Sequence, residues 1–291
     1  MTNGNVEQKD SAITLLRKDV ESQIERARAL IEPALPKSCD FKQLVAKTLV
    51  AIQSTPSLAD TNAVSIFWCF VHAAELGLSL DVSSQEAHII PFEDKKHGRG
   101  KRAKLITGYR GLVKLALQHP KVLSVHARAV CEKDKFEYDE GSTPFVVHKR
   151  FLGSDHPGEV IAAYAVISLQ NGGRIVGVMS RFDVDKVRAM SRGSSDPDSP
   201  WTKWYDQMAA KTVLRNTLKQ SPRSVEAEKA LALEDAAEQG VIEPGEEIVV
   251  AKRGQPAQGR VSRMRGRVAQ QAEAEPTNNG RDEEPPPDDL P

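Results

Sequence analysis

No stretch of this chain approaches the roughly 20 consecutive apolar residues of a membrane-spanning helix. The most apolar run, Ile66–Ala74, is interrupted by His72 and followed by Glu75. The opening decapeptide MTNGNVEQKD is polar and has no apolar signal segment, so a cytoplasmic protein is expected. Cysteine is scarce: Cys39, Cys69 and Cys131 lie far apart, with no C-x-x-C pair. That spacing argues against a disulfide framework or a zinc site and for reduced thiols. Net charge is also missing, with 40 Lys/Arg against 40 Asp/Glu. A uniformly basic surface is therefore excluded. A local basic patch is not, because screening confines each patch to about 8–10 Å.

The usual signs of catalysis are absent as well. There is no G-x-x-x-x-G-K-[ST] phosphate loop, no H-E-x-x-H and no G-x-S-x-G. Gly98-Arg99-Gly100 is a lone glycine pair in a charged loop. Asp183 and Asp185 sit at a predicted helix start, where capping explains them better than a two-metal site. The seven histidines are scattered, none at ligand spacing. No catalytic residue, metal ligand or cofactor is assigned, and the expectation is a protein that is not an enzyme.

What is present is the material for an α+β fold. With 291 residues and 40% hydrophobic content, the chain can bury a sizeable core. The first ten residues read as loose. Ile13, Leu16, Val20, Ile24, Ala27 and Leu30 then share one helical face, and Phe41–Gln53 is a second amphipathic helix. A third runs from an N-cap at Asp60 to Leu76, with Gly77 placed for the stop. It is apolar nearly all round, so Phe67 and Trp68 read as core. Strands follow at Gln85–Phe92 and Lys104–Thr107 around the charged tip KKHGRGKR, then a helix over Tyr109–His119 stopped by Pro120. Further strands are expected at Val122–Cys131, Lys135–Tyr138 and Pro144–Arg150. The clearest hairpin joins Glu159–Leu169 to Arg174–Met179 through Gln170-Asn171-Gly172-Gly173. Helices close the folded region: Ser180 to about Met190, one continuous helix from Pro200 to about Gln220 capped by Ser199, and a weaker one over Val225–Glu238. Beyond Gly240 the composition becomes polar and proline-rich, and disorder is expected. Within that tail Lys252–Arg267 is basic and Asp282–Asp289 acidic. The chain thus divides into residues 1–40, an N-terminal helical segment suited to an oligomer contact, 41–224, a core, and 225–291, a helix and tail.

Charge is concentrated within that core. From Lys95 to Arg150 there are 14 Lys/Arg against 5 Asp/Glu, interleaved with aromatic residues. Phosphates want cations and unstacked bases want flat apolar faces, so such a region suits a nucleic acid. Lys104, Arg128, Lys149 and Arg150 lie on strands, whereas Tyr109, Arg110 and Lys114 open a helix straight after a strand, a place suited to phosphate. A second cationic element is the late helix. Lys203, Lys211, Arg215 and Lys219 recur at a stride of four, with only Asp206 to balance them, while Met208, Val213, Leu214 and Leu218 can face a core. A stride of four drifts about 40° per step, so the cations form one slowly winding stripe. Solvated surface charge accounts for any single residue here; the combination favours binding. Phe136 and Tyr138 read as strand core in preference to stacking platforms.

Eight segments in order make the chain familiar. AAELGLSL (Ala73–Leu80), EAHIIPF (Glu86–Phe92), GYRGLVKLA (Gly108–Ala116), DKFEYDEG (Asp134–Gly141), HKR (His148–Arg150), AAYAVISL (Ala162–Leu169), VMS (Val178–Ser180) and SPW…MAAKTVLRN (Ser199–Asn216) resemble the RecT family of phage-type single-strand annealing proteins. The resemblance spans about Phe41–Pro222. It implies ATP-independent binding of single-stranded DNA and annealing of complementary strands, by an oligomer forming rings or filaments. It also implies a Rad52-like fold, a curved antiparallel sheet backed by helices. A 5′-to-3′ exonuclease of the same phage and the host single-strand-binding protein would be the partners. Carried to this chain, the DNA groove would include Tyr109, Arg110, Lys149, Arg150, Trp201, Lys203, Lys211 and Arg215. Lys104, Lys114, Arg128 and Lys219 join them on charge alone. Lys211→Glu with Arg215→Glu is then expected to abolish binding and leave the fold intact. The alternative is a metal-dependent nuclease or other nucleic-acid enzyme.

Overall fold

The computed structural model describes residues 3–36, 39–93, 101–191 and 193–239. Most of the KKHGRGKR tip and the whole tail beyond 239, with its basic and acidic segments and its expected disorder, lie outside the described residues. Among the described residues no helix is long and apolar enough to cross a membrane.

Three helices come first: α1 (Asn3–Ile31), α2 (Phe41–Gln53) and α3 (Ala63–Leu76). Ile13, Leu16, Val20 and Ile24 of α1 are buried as their period requires, but Leu30 is 81% exposed. Helix α1 starts at Asn3, so the loose N-terminal segment expected from the sequence is helical instead. Glu, Gln and Lys there are good helix formers, and extending an existing helix is easy compared with nucleating one. Asp40 caps α2 by accepting from the Gln43 amide at 2.8 Å. The cap of α3 is Asn62, whose side chain accepts from the Ser65 amide at 2.7 Å. It is not Asp60, which ends a short 3-10 turn and takes the Lys101 ammonium at 3.0 Å. Gly77 terminates α3 at φ 63°, a left-handed conformation that glycine adopts without a Cβ penalty.

The hairpin β1 (Ala87–Glu93) and β2 (Lys101–Thr107) packs under these helices. Ala87, Ile89, Ala103 and Leu105 join Ile66, Phe70 and Ile24 in a first core. After α4 (Tyr109–Leu117), strand β3 (Val122–Cys131) pairs with β6 (Val160–Leu169), which pairs with β7 (Arg174–Ser180). The inward residues Ala127, Ala163, Ala165 and Ile167 meet Val213 and Leu214 of α7 (Tyr205–Leu218) in a second core. Strands β4 (Lys135–Asp139) and β5 (Phe145–Lys149) form their own hairpin. The fold is thus α+β with every named strand pair antiparallel, as expected, but its described strands make three separate sheets.

Helix α5 (Arg181–Met190) begins at the Ser180 cap, where hydroxyl and Asp183 carboxylate meet at 2.6 Å. The long helix expected from Pro200 is two: α6 (Pro200–Lys203) ends at Trp204, whose φ −139° and ψ 56° leave the helical region before α7 begins. Finally α8 (Val225–Gln239) places Ala227 and Ala230 in the first core and Leu231 in the second.

Candidate nucleic-acid interface

The start of α4 is pressed onto the chain leading into β1. Gly108 donates its amide to the Glu86 carbonyl at 2.7 Å. A Cβ on Gly111 would lie 2.1 Å from that same oxygen, and one on Gly108 would lie 2.1 Å from the Gln85 carbonyl. Only glycine allows this approach, which explains why Tyr109 and Arg110 are framed by two of them. Arg110 is exposed and makes no ion pair among the described residues, whereas Tyr109 is half-buried against the second core. Lys114, expected to reach phosphate, is a structural brace instead. Its ammonium donates to the Gly77 carbonyl and to Glu86, both at 2.8 Å, and Glu86 also accepts from the Ser79 amide. Lys104 on β2 is half-buried with its ammonium 5.9 Å from the centre of the Phe92 ring.

The outer face of the β3–β6–β7 sheet holds the densest set of rings. Arg128 is exposed, stands opposite Tyr164 in the ladder, and donates from Nε to His126 Nε2 at 3.2 Å. Ring contacts run unbroken from His126 to Tyr164 (6.0 Å), from Tyr164 to Phe136 (5.4 Å) and from Phe136 to Tyr138 (5.3 Å, stacked). Tyr164 is buried and its hydroxyl held above its usual range by that burial. Tyr138 is 49% exposed, so the reading of it as strand core is corrected, while Phe136 is half-buried.

His148 of the HKR segment is not a surface cation. Its Nε2 meets Asp134 Oδ2 at 3.0 Å and its Nδ1 meets the Tyr164 hydroxyl at 3.3 Å. Both the His148 and Asp134 side chains are only 4% exposed. Asp134 also accepts from the amides of Cys131 (2.8 Å) and Phe151 (2.7 Å). Burial alone pushes this carboxyl up, but the two amides and the imidazole outweigh it, and the group sits below its ordinary range. Together with the Glu140 carboxylate, which accepts from the Val178 amide of β7 at 2.8 Å, this knot fixes the β4–β5 hairpin to the sheet. Lys149 and Arg150 follow His148 out of the knot, exposed and without an ion pair among the described residues.

The late helices depart most from expectation. Trp201 is 5% exposed and belongs to the second core, so its ring is not available to bases. Lys203 is exposed but paired with Asp198 at 2.7 Å. The α7 stripe is covered by acids of α8. Lys211 and Arg215 each reach Glu234 at 3.2 Å, Arg215 also holds Asp235, and Lys219 reaches Asp235 at 3.1 Å. Glu234 is 5% exposed. Balance by Asp206 alone is therefore wrong, because the neutralising carboxylates lie on another helix and no spacing within α7 reveals them. No spacing in the sequence marks Asp134 or His126 as members of the site. The alternation of Tyr164 with alanines on β6 was the one available signal for it.

Among the described residues no cluster of three or more His, Cys, Asp or Glu side chains is arranged to hold a metal ion. Asp185, the neighbour of the capping Asp183, accepts from the Tyr205 hydroxyl at 2.9 Å. Burial, and after it that bond, raises the Tyr205 phenol to about 12.

Comparison with known proteins places this sequence. Protein RecT of Escherichia coli (strain K12) is 30% identical over 218 residues, covering 75% of this chain and 79% of the relative. The uncharacterized protein YqaK of Bacillus subtilis (strain 168) is 28% identical over 194 residues, 66% of this chain and 64% of that protein. Residues 42–249, from the second residue of α2 to beyond α8, match the RecT family, and the chain belongs to it.

Proposed function

We propose that this protein binds single-stranded DNA and anneals complementary strands without nucleotide hydrolysis, in homologous recombination and as a ring or filament of subunits on DNA. The observation that carries the reading is the outer sheet surface. Exposed Arg128 sits at one end of a chain of rings that finishes on exposed Tyr138, and exposed Lys149 and Arg150 leave the same hairpin. Cations there neutralise phosphates, and an exposed ring gives bases a sequence-tolerant face. Arg110 extends the cationic set from the start of α4. Trp201 and Lys114 are withdrawn from it, since one is core and the other a brace.

Family membership supports the rest of the reading: a Rad52-type relation of the fold, and the annealed duplex as product. It also supports a phage 5′-to-3′ exonuclease and the host single-strand-binding protein as partners in a bacterial cytoplasm. Base pairing itself supplies the free energy, so the protein has only to hold one strand by its backbone with base edges free. Labelled complementary oligonucleotides mixed at low salt, with chelator and no nucleotide, should anneal faster with the protein than without it. Equal rates, or strand cleavage on adding Mg²⁺, would contradict the reading.

A further inference from the structure

Of the twelve residues expected at a DNA surface, the α7 cations Lys211, Arg215 and Lys219 have the most peculiar surroundings. Lys211 and Arg215 are largely withdrawn from solvent, and the carboxylates that meet all three cations lie on another helix. Their partners are two consecutive carboxylates, Glu234 and Asp235, on a helix that follows them after a short linker containing Pro222. Lys211 and Arg215 side chains are 18% and 13% exposed, and Lys219 44%, so the stripe runs from a closed end to an open one.

We infer that α8 is a phosphate-mimicking latch: Glu234 and Asp235 occupy a backbone-binding stripe on α7 until a nucleic-acid strand displaces them. The inference rests on the DNA-binding reading above and adds a second, covered backbone site to it.

Three observations support displacement over a permanent clamp. The apolar anchor of α8 is small: among its described side chains those buried are Ala227, Ala230 and Leu231, with Leu233 partly buried. Its remaining ties beyond the stripe are polar and exposed, chiefly Lys229 to Glu75 at 2.5 Å, with side chains 41% and 42% exposed. Salt screens such pairs readily. Finally, exchanging carboxylate for phosphate leaves Lys211 and Arg215 paired throughout, so the exchange avoids the large cost of a lone buried charge. The carboxylates meanwhile gain water, and counterions released from the incoming strand favour its side of the balance. The stride of four spaces the cations about 6 Å apart, near the repeat of an extended strand's phosphates.

Hydrogen–deuterium exchange on the full, unmodified chain tests this, with a single-stranded poly-dT oligonucleotide at a concentration that fluorescence anisotropy shows to be saturating. The latch predicts that amides of Val225–Gln239 exchange at least several-fold faster with the oligonucleotide bound, while those of α3 and β6 do not. Unchanged or increased protection of α8 at saturation overturns it. If anisotropy shows no binding at all, the DNA-binding reading fails on its own readout and takes the latch with it. A second measurement uses Glu234→Gln with Asp235→Asn, checked for folding by circular dichroism. Affinity for poly-dT at low salt should rise several-fold and fall more steeply with added salt. A folded variant with unchanged or weaker affinity contradicts the latch.

Discussion

Asp134 shows how much of the candidate surface depends on a residue that carries none of its positive charge. One carboxylate receives two backbone amides and the His148 imidazole, and through His148 it reaches Tyr164 and the hairpin that projects Lys149 and Arg150. Asp134→Ala leaves those buried groups without a partner. It should destabilise the protein by on the order of 3 kcal/mol, read from urea unfolding. The pH dependence has a definite sign. The carboxyl is depressed in the fold, so its contribution is present above the ordinary carboxylate range and is lost as pH falls below about 4 through the folded value. Asp134→Asn should therefore flatten the acid limb of the stability profile relative to wild type. A limb of unchanged steepness would show that the knot is not what titrates. None of this was legible from HKR as a motif. His148 looks like one more surface residue until Asp134 and Tyr164, 14 and 16 residues away, are brought onto it.

At the scale of elements, the turn GYRG and the pair α7–α8 make separate predictions. Gly111→Ala drives a methyl into the Glu86 carbonyl. It should lower the thermal midpoint by several degrees, corresponding to about 1–3 kcal/mol for an overpacked contact. For α7, double charge reversal at Lys211 and Arg215 is not the clean test of binding that the helix alone suggested. It sets four carboxylates against one another around the 5%-exposed Glu234, and the fold should lose on the order of 3 kcal/mol or more. Calorimetry distinguishes this from a variant that only fails to bind. The docking of α8 should also be acid-labile. The His72 hydrogen bond, and after it Lys229, hold Glu75 at about 2 against the upward push of burial. Asp235 is likewise depressed, because Lys219 and Arg215 outweigh its burial. Both are lowered acids, so the tie holds above about pH 4 and weakens as pH falls towards 2. The protection factors of α8 amides, corrected for the intrinsic rate at each pH, should fall over that window before those of α3. Element positions were largely legible, since a period of two or 3.6 is local information: Phe41–Gln53 and Val122–Cys131 coincide with α2 and β3. The break at Trp204 was not, because nothing in the sequence around Ser199-Pro200 marks the irregular backbone two helical turns could equally have spanned.

For the whole molecule, two cores are stitched together by late elements. Helices α1–α3 and the β1–β2 hairpin enclose one, the three-stranded sheet and α7 the other, and α8 contributes side chains to both. The order of segments along the chain sufficed to identify the family, whereas the pairing of charges did not emerge until distant helices were in place. Exposed cations remain on the hairpin, beside the exposed Tyr138, and at the start of α4, and the proposed first contact with DNA lies there. The most direct test is the annealing rate of complementary oligonucleotides at low salt, without nucleotide or divalent metal, for the wild type and for Lys149→Glu with Arg150→Glu. Wild-type protein should accelerate annealing over the protein-free rate, and the exposed double variant should remain folded yet lose most of that acceleration. A wild type no faster than DNA alone, or a folded variant that anneals as fast as the wild type, would contradict it.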